Sequence, residues 1–512
     1  MRGIILSIGL IWLTAIVSAQ TDSLSIPSMR EVYRQNSWLE GNNPVSLSFN
    51  RFRSFSIAEA GFSYIDGNRG NLSVPSSHSS YMVYSESFQT LGKVALYGKL
   101  GYTNNQKHNI SWNGMTNDYW QGVNLCDSVS GKQRSEQYLL SGAFSLPLPL
   151  NWLIGTQFDY EAELTAKDTD PRNKNQWMKW VLKPGIGYQR GQVRFGASLL
   201  YASRKEEIDY QNIGTHITYP FLVAYPLAFY NTLPLGQNIS WNYSAQELGG
   251  ALQAEITHDP FSVFQEITGS TTKQETVSNR IQDKKEGETR AWQVDYKGKL
   301  KKATSYNYHE WNWQAILNHS QSYEPLQQQE ATNVWNTYGK VLRSSHYAVD
   351  YRLTYRYAWL RDSWNPVYSI IAGINFHQEK SKLYFYPTEY RQPIHRLSLH
   401  TTADRSFPLS HGQVDCALGG EYIFGGGHLI EEKQLSSNQS APDIALWQNK
   451  ERLEQEFNYR TATRWNIHLS ITYTHTGSIR WFISLKGKYE DAYQNTDSKK
   501  TNYFSTQIGL LF

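Results

Sequence analysis

The spacing of alternating segments constrains the fold of this chain more than any other feature of its sequence. From about residue 54 to the end, runs of roughly 10 to 16 residues alternate between apolar and polar side chains. The gaps between these runs are short, then long, then short again. Tight turns at one rim and long loops at the other are typical of a β-barrel that crosses a membrane.

The runs predict an all-β, antiparallel, up-and-down barrel of about 18 strands, within a range of about 14 to 18. The first strand lies near 54–65 and the last near 500–512, and the longest gaps are 105–133, 206–247, 321–344 and 425–458. An even strand number brings both termini to the rim with the short turns, which is periplasmic in bacterial barrels. We therefore expect residues 54–512 to form a transmembrane barrel with short periplasmic turns and long extracellular loops.

The composition of single strands assigns their two faces. Tyr351 and Leu353 alternate with Asp350 and Arg352, and the same pattern continues on both sides of these residues. Placing an Arg or Lys against lipid at the bilayer midplane costs about 2–4 kcal/mol. The apolar set should therefore face lipid and the polar set the lumen.

The start of the chain predicts export. Residues 1–19 combine Arg2, an apolar stretch from Ile4 to Val17 and a small-residue cleavage site before Gln20, which is the pattern of a signal peptide. No later run approaches the length of about 18 apolar residues that a membrane helix needs. The net charge of +4 on 512 residues is too small to indicate nucleic acid. The sequence thus predicts a protein of the Gram-negative outer membrane that contacts lipid and binds no nucleic acid.

The last strand carries one apolar face and ends on an aromatic ring. Its outward positions include Phe504, Ile508, Leu510 and Phe512. This ending is similar to the terminal strand of Gram-negative outer-membrane proteins, which the barrel-assembly machinery reads. We expect these four residues to form the assembly signal and that machinery to be a partner.

Residues 20–53, between the signal peptide and the first strand, predict a short helix. Met29, Val32 and Tyr33 share one helical face, and Gly41 can close the helix. A helix of about ten residues is marginal alone in water. It should therefore dock as a plug or hatch in the lumen or at the periplasmic mouth; the alternative is a simple leader into the first strand.

The stretch from Ser37 to Pro44 resembles the Asn-Pro-Ala loop of N-terminal hatches in fatty-acid-transporter-type barrels, with Val45 where that pattern has Ala. This resemblance implies a plug that contains Trp38, Asn43 and Pro44.

The mature chain as a whole resembles an uncharacterised family of outer-membrane β-barrels of the Bacteroidota. The resemblance rests on Gln20 directly after the cleavage site, on Trp38, Gly41, Asn43 and Pro44, and on the Phe512 ending. It implies an outer-membrane barrel with no established substrate.

Basic residues dominate the positions assigned to the lumen. They are Lys93, Lys99, Lys179, Lys183, Arg194, Arg352, Arg356, Arg396, Arg464, Arg480, Lys486 and Lys488. A basic wall raises the local concentration of anions. The alternative is that these residues form pairs with acidic side chains and simply hold the wall together.

The sequence carries no enzyme motif and predicts no cofactor or metal site. His309-Glu310 is followed by Trp313 where a zinc-binding helix needs a second His. His468 and Ser470 share a lumen face, but Ile471-Thr472 follows Ser470 where a membrane phospholipase has Asn-Gly. Cys126 falls in a long loop and Cys416 on a lipid-facing position, so no disulfide is expected.

Two functions follow from these observations. The first is a channel or transporter for small solutes with an anion-favouring lumen, because barrels of this strand number enclose an aqueous lumen. The alternative is a non-conducting surface-binding or assembly-partner barrel, which would engage a partner such as a surface lipoprotein. In that case the aromatic residues of the 206–247 segment would form the contact surface. They are Tyr210, Tyr219, Tyr225, Phe229, Tyr230 and Trp241.

Overall fold

The computed structural model describes residues 29–50, 54–67, 73–116, 122–214, 218–236, 238–278, 284–331, 334–360, 366–435, 447–494 and 497–512. The signal peptide predicted at residues 1–19 lies outside these ranges. Within them, long antiparallel strands form one closed sheet.

The barrel contains eighteen strands, each longer than ten residues. They are β1 Ser54–Gly67, β2 Ser77–Leu91, β3 Val94–Ile110, β4 Gly131–Pro147, β5 Trp152–Lys167, β6 Arg172–Arg190, β7 Val193–Gln211, β8 Asn238–His258, β9 Phe261–Ser278, β10 Lys284–Ala303, β11 Asn307–Ala331, β12 Val334–Leu360, β13 Pro366–Phe385, β14 Thr388–Leu409, β15 Gly412–Gly427, β16 Thr463–Thr476, β17 Arg480–Gln494 and β18 Asp497–Leu511. A further short strand, Glu431–Gln434, extends the sheet beside β14.

The barrel closes because β1 pairs with β2 on one side and with β18 on the other. Ile57 lies opposite Leu511 in that closing pair, and every other strand pairs with its neighbours in the chain. Among the described residues, closure leaves none of these eighteen strands at an unpaired edge of the barrel. The predicted up-and-down barrel and its strand number are confirmed.

One end of the barrel carries only short connections, whereas the other end carries the long connections together with several short ones. At one end, Gly92 and Gly191 adopt positive φ values of 61° and 59° in tight turns, a conformation that glycine accepts without strain. The three longest connections, 111–130, 212–237 and 428–462, lie at the other end. We call these the short-turn end and the long-loop end.

The predicted loop at 321–344 is wrong. β11 and β12 continue as a paired ribbon up to Ala331, which lies opposite Val334. Both faces of this ribbon carry many polar side chains, so the sequence lacks the apolar alternation from which the other strands were predicted. Backbone pairing and ion pairs such as Lys340–Glu288, at 2.9 Å, hold it instead.

The two faces of the wall differ as expected. Leu199, Leu418 and Ile508 lie on the outward face and are 66 %, 57 % and 55 % exposed, while inward neighbours such as Ser198 and Ser505 are buried. Large apolar side chains recur on the outward face around the barrel. The wall is therefore apolar outside and polar inside, with period-two alternation along each strand.

Loops fold over the inner wall at the long-loop end. Four short segments, Asn124–Cys126, Leu222–Ala224, Phe229–Thr232 and Trp447–Gln448, form a small separate sheet. Leu125 and Phe221 pack against the inward residues Ile208 and Trp241 of β7 and β8. We call this small sheet, together with the helix Lys450–Thr461, the cap.

Helices are few and short. The helix Met29–Gln35 (α1) precedes the barrel, and the helix of the cap, Lys450–Thr461, is α2. Among the described residues, no helix has the length and apolar character needed to cross a membrane.

Candidate functional site

Residues 29–50, the part of the chain before the barrel that the structure describes, lie inside the lumen at the short-turn end. We call residues 29–50 the plug; it contains α1 and a 3-10 helix, Pro44–Phe49. Val32 and Leu47 of the plug belong to one buried cluster with Phe55 of β1 and Phe482 of β17. A seven-residue helix is too short to be stable alone, so this packing holds α1 in place.

A buried carboxylate also anchors α1. The Tyr33 hydroxyl donates to Glu86 of β2, and that carboxylate also accepts from Tyr84 at 2.5 Å and from Tyr97 at 2.8 Å. Burial and the neighbouring Glu86 charge raise the pKa of Tyr33 well above its usual value. Tyr33 therefore remains a protonated donor throughout the physiological pH range.

Asn43 and Pro44 shape the plug and fix it to the wall. The Asn43 Oδ1 accepts from the backbone N–H of Val45 at 3.1 Å and caps the 3-10 helix, in which Pro44 takes the first position. The Asn43 Nδ2 donates to the carbonyl oxygens of Ile186 and Ala197, at 3.1 and 3.2 Å. Asn43 thus joins the plug to both β6 and β7.

Glycines on the inward face make room for the plug. They are Gly155 of β5, Gly185 and Gly187 of β6, and Gly196 of β7. A Cβ atom at Gly185 would lie 2.9 Å from the Cδ of Pro44, and one at Gly196 would lie 2.7 Å from the Trp38 ring. Outward-facing Gly142 has open space around the same position. The four inward glycines therefore form a depression into which the plug fits; we call it the glycine depression.

Trp38 is the largest fully buried side chain of the plug. Its ring packs edge-on against Phe49 and Phe264, with centroids 5.0 and 5.7 Å apart. Its Nε1–H donates to Glu255 at 2.8 Å, and Glu255 also pairs with Arg194 at 2.9 Å. Arg194, which the sequence assigned to an anion-favouring lumen, therefore lies in the contact between plug and wall.

Three lysines of β10 hold the opposite side of the plug. Lys297 donates to the carbonyl oxygen of Glu40 at 2.8 Å, and Lys299 pairs with the Glu40 carboxylate at 2.5 Å. Lys301 donates to the carbonyl oxygen of Arg34 at 2.7 Å. The sequence reasoning missed all three lysines, although their period-two spacing placed them on one face of a strand.

Glu266 of β9 completes this attachment. It is 1 % exposed, and it accepts from both the backbone and the side chain of Asn42, at 2.9 and 3.0 Å. Lys297 balances its charge at 2.8 Å. Arg34 of the plug also stacks on the ring of Tyr308 of β11. Taken together, the contacts of the plug reach every strand from β1 to β11. The buried cluster around Val32 adds β17 and β18.

The structure places nearly all of the predicted lumen bases on the wall. By strand register, Lys99, Arg194, Arg352, Arg356, Arg396, Arg464, Lys486 and Lys488 lie on inward positions, and Arg480 begins β17 on the same face. Lys93 is the exception. It lies exposed in the turn between β2 and β3, because the first strand residue after that turn is Val94.

Acidic or polar neighbours engage many of these bases. Arg464 and Lys488 both approach Glu490, at 3.7 and 3.3 Å. Arg356 donates to Ser369 at 3.1 Å, and Lys486 donates to Gln507 at 3.0 Å. The approach of Arg464 and Lys488 to Glu490 fits the alternative interpretation, in which basic residues pair with acidic side chains and hold the wall together.

The cap is tied to the wall by charge as well as by packing. Arg460 of α2 pairs with Glu379 of β13, whose carboxylate lies 3.4 Å from Nε2 of His377. The other ring nitrogen of His377 lies 2.8 Å from Asp350. Burial lowers the pKa of Arg460 to about 10, so it still carries its charge at neutral pH.

Two of the aromatic residues proposed for a surface contact, Tyr210 and Trp241, face the interior. Tyr210 and Trp241 are 0 % and 1 % exposed and belong to the buried cluster beneath the cap, against which Tyr225 also packs. The predicted contact surface is wrong at Tyr210 and Trp241, because β7 and β8 extend further than expected and turn these two rings inward.

The structure also gives the positions of the two cysteines and of the predicted assembly signal at the C-terminus. Cys126, which is buried in the cap, and Cys416 are both free thiols. Within the described ranges, no group of three His, Cys, Asp or Glu side chains could hold a metal ion. Phe504 and Ile508 are 47 % and 55 % exposed on the outward face of β18, which also carries Leu510, and the backbone of Phe512 pairs with Ser56.

The comparison with protein families identifies the family of this chain. Residues 44–512 match the model described as "Family of unknown function (DUF6850)". The chain belongs to this family. The match begins at Pro44, so it includes the 3-10 helix of the plug and the whole barrel. No curated protein matches the sequence.

Solved structures that match this chain include two receptors for ferric complexes. The chain is similar to BauA, the ferric preacinetobactin receptor from Acinetobacter baumannii, with a TM-score of 0.42 and 8 % identity over 89 % of this chain and 80 % of that one. It is also similar to the ferric yersiniabactin uptake receptor FyuA from Yersinia pestis, with a TM-score of 0.41 and 8 % identity over 90 % and 80 % of the chains. Similarities this low carry no inference about function.

Proposed function

We propose that this member of the DUF6850 family is an outer-membrane transporter for small hydrophilic solutes. The plug closes its lumen at the periplasmic, short-turn end, and the cap narrows it at the outer end. Its apolar outer face and closed backbone pairing suit a wall in contact with lipid, where every backbone polar group must be bonded internally.

The observation that carries this proposal is the fit of the plug to the glycine depression. The barrel closes through its own strand pairs, so the wall does not need the plug to complete it. The plug is attached by side chains and by short helices, which can detach without breaking any strand pair. An element that can leave a wide lumen while the wall persists has the properties of a gate.

Replacing Trp38 tests this function. Trp38→Ala removes a fully buried ring at a cost of about 3–5 kcal/mol and leaves Glu255 without its indole donor. A change of that size shifts the balance between docked and released plug by a hundredfold or more. We expect the single-channel open probability in planar bilayers to rise sharply over that of the unmodified protein.

Trp152→Ala is the matched control. Trp152 also lies near the short-turn end, but its ring faces outward and is 43 % exposed. Its removal should leave the open probability unchanged. The proposed gate fails if both variants conduct alike, or if Trp38→Ala folds and remains silent.

A second candidate function, a non-conducting partner-binding barrel, rests on the fact that both plug and cap lie within the wall. Tyr210 and Trp241 of its proposed aromatic contact surface are buried, so the transporter is the better-supported function. The paired charges of the wall give no support to a general anion preference. A surface lipoprotein remains a proposed partner of the long-loop end.

We further propose that Phe504, Ile508, Leu510 and Phe512 are read by the barrel-assembly machinery. Removing Phe512 should lower the yield of heat-modifiable folded barrel in cells, while the same polypeptide refolds in detergent as the full chain does. Equal yields in cells would contradict this role.

A further inference from the structure

A polar cavity lies on the inner wall directly above the plug. It occupies about 340 Å³ and is lined by side chains from β3 to β8. This volume lies near the lower end of the range of small-molecule sites, about 300–1,000 Å³. Lys183 and Gln157, in its wall, stand two residues from Gly185 and Gly155 of the glycine depression. A ligand in this cavity would therefore rest next to the plug.

Some of the charges in the cavity are already paired. Lys183 lies 3.5 Å from Asp159, and Arg204 pairs with Glu247. Asp159 also accepts from Gln157 and Ser141. These groups form the rigid frame of the cavity.

Three other charges line the same cavity: Lys99, Lys179 and Glu161. Among the described residues, no ion pair within 4.0 Å includes any of them. Glu161 and Lys179 lie opposite each other on β5 and β6. Lys99 stands one row nearer the plug, in register with Ser141 of β4, and its ammonium lies 5.3 Å from the Tyr84 ring. Two amines and one carboxylate therefore face the cavity.

We propose that this cavity binds an acidic α-amino acid, with L-glutamate as the representative ligand. This inference rests on the proposed transport function and names its substrate class. Two carboxylates and one ammonium on the ligand complement Lys99, Lys179 and Glu161 in number and sign. A site built from such groups discriminates strongly against an analogue that leaves one of them unmatched.

The cavity also lies next to the attachment of α1. Tyr97, which lines the cavity, donates to Glu86 at 2.8 Å, and Glu86 accepts from Tyr33 of the plug. Lys99, two residues along the same strand, faces the bound ligand. Occupancy of the cavity therefore acts on the strand that holds α1.

Binding to the detergent-purified full-length protein tests the proposal, with isothermal titration calorimetry as the readout. The probes are L-glutamate, L-glutamine, which lacks the second carboxylate at nearly the same size, and glutarate, which lacks the ammonium. L-glutamate should bind about tenfold to a hundredfold more tightly than either analogue, the range expected for one charged hydrogen-bonding partner.

Substitutions assign the roles. Lys179→Met should weaken L-glutamate binding by a similar factor. Glu161→Gln should weaken L-glutamate binding but leave glutarate binding unchanged, a pattern that a merely misfolded wall cannot produce. Lys486→Met, at an inward lysine of β17 outside the cavity, is the control and should bind L-glutamate as the unmodified protein does.

The outcomes separate this inference from the proposed function. If L-glutamine binds as tightly as L-glutamate, if Lys179→Met has no effect, or if no probe binds, the acidic amino acid site is refuted. Should Trp38→Ala nevertheless open the barrel, the transporter stands with another substrate. Binding of L-glutamate in a barrel that Trp38→Ala fails to open would support the site and refute the gate.

Discussion

Deletion of residues 29–50 is expected to convert the closed barrel into an open aqueous channel. The plug contacts the inward face of β1 to β11, β17 and β18, and barrels of this strand number enclose a wide lumen. The wall closes through the pairing of β1 with β18, which the deletion leaves intact. We expect large, stable conductance steps in planar bilayers and rapid sugar-driven swelling of proteoliposomes.

Two controls accompany this deletion. Heat-modifiable gel migration reports whether the shortened chain has folded, and replacement of residues 29–50 by a Gly-Ser segment of equal length keeps the chain length constant. Both altered chains should conduct alike. A folded deletion variant with no conductance would show that the plug is not the barrier.

The second expected effect comes from filling the glycine depression. A side chain at Gly185 would collide with Asn43 and Pro44, so Gly185→Leu should expel the plug while every residue of the plug remains present. Overpacking of a well-fitted contact costs about 1–3 kcal/mol and sometimes more. We expect conductance to approach that of the deletion variant.

Gly142→Leu is the matched substitution on the opposite face. Gly142 faces outward on β4 and has open space around its Cβ position. This variant should stay closed. If Gly185→Leu is also closed, or if both variants open, the glycine depression does not determine the position of the plug.

The barrel was predictable because its physical causes are local. Period-two alternation and the cost of a charge in lipid act along each strand, so Tyr351, Leu353, Ile467 and Leu469 reveal their outward direction from their neighbours alone. A helix near Met29 was also predictable, because its apolar spacing is local, but it ends at Gln35 and not near Gly41.

The attachment of the plug depends on contacts between distant parts of the chain. Lys297, Lys299 and Lys301 are regularly spaced, yet nothing near them in sequence reveals that they bind the backbone and side chain of residues 34–40. Likewise, glycine is needed at positions 185 and 196 only because Asn43 and Trp38 lie against them in the folded chain. Such contacts join positions more than a hundred residues apart.

Charge pairing across strands could not be predicted either, because it also joins positions that are distant in sequence. Arg194 and Glu255 are separated by 61 residues in sequence but by 2.9 Å in the structure. Counting bases and acids along the chain gave an excess of positive charge on the wall, whereas strand register pairs several of those bases. Alternation excludes a register slip of one residue, because such a slip would turn every side chain to the other face. It leaves slips of two residues open, and turns and barrel closure decide between those registers.

A cross-link between plug and wall tests the central claim most directly. A Cβ atom at Gly187 would lie 3.5 Å from the Cβ of Val45, within the span of a disulfide, about 3.5–4.5 Å. In the Val45→Cys/Gly187→Cys variant, mild oxidation of the folded barrel should join the two residues and abolish the residual channel openings of the plugged barrel. Reduction should reverse both effects. Failure of these cysteines to join in a folded barrel, or equal cross-linking of a Val45→Cys/Gly142→Cys control, would contradict a plug seated in the lumen.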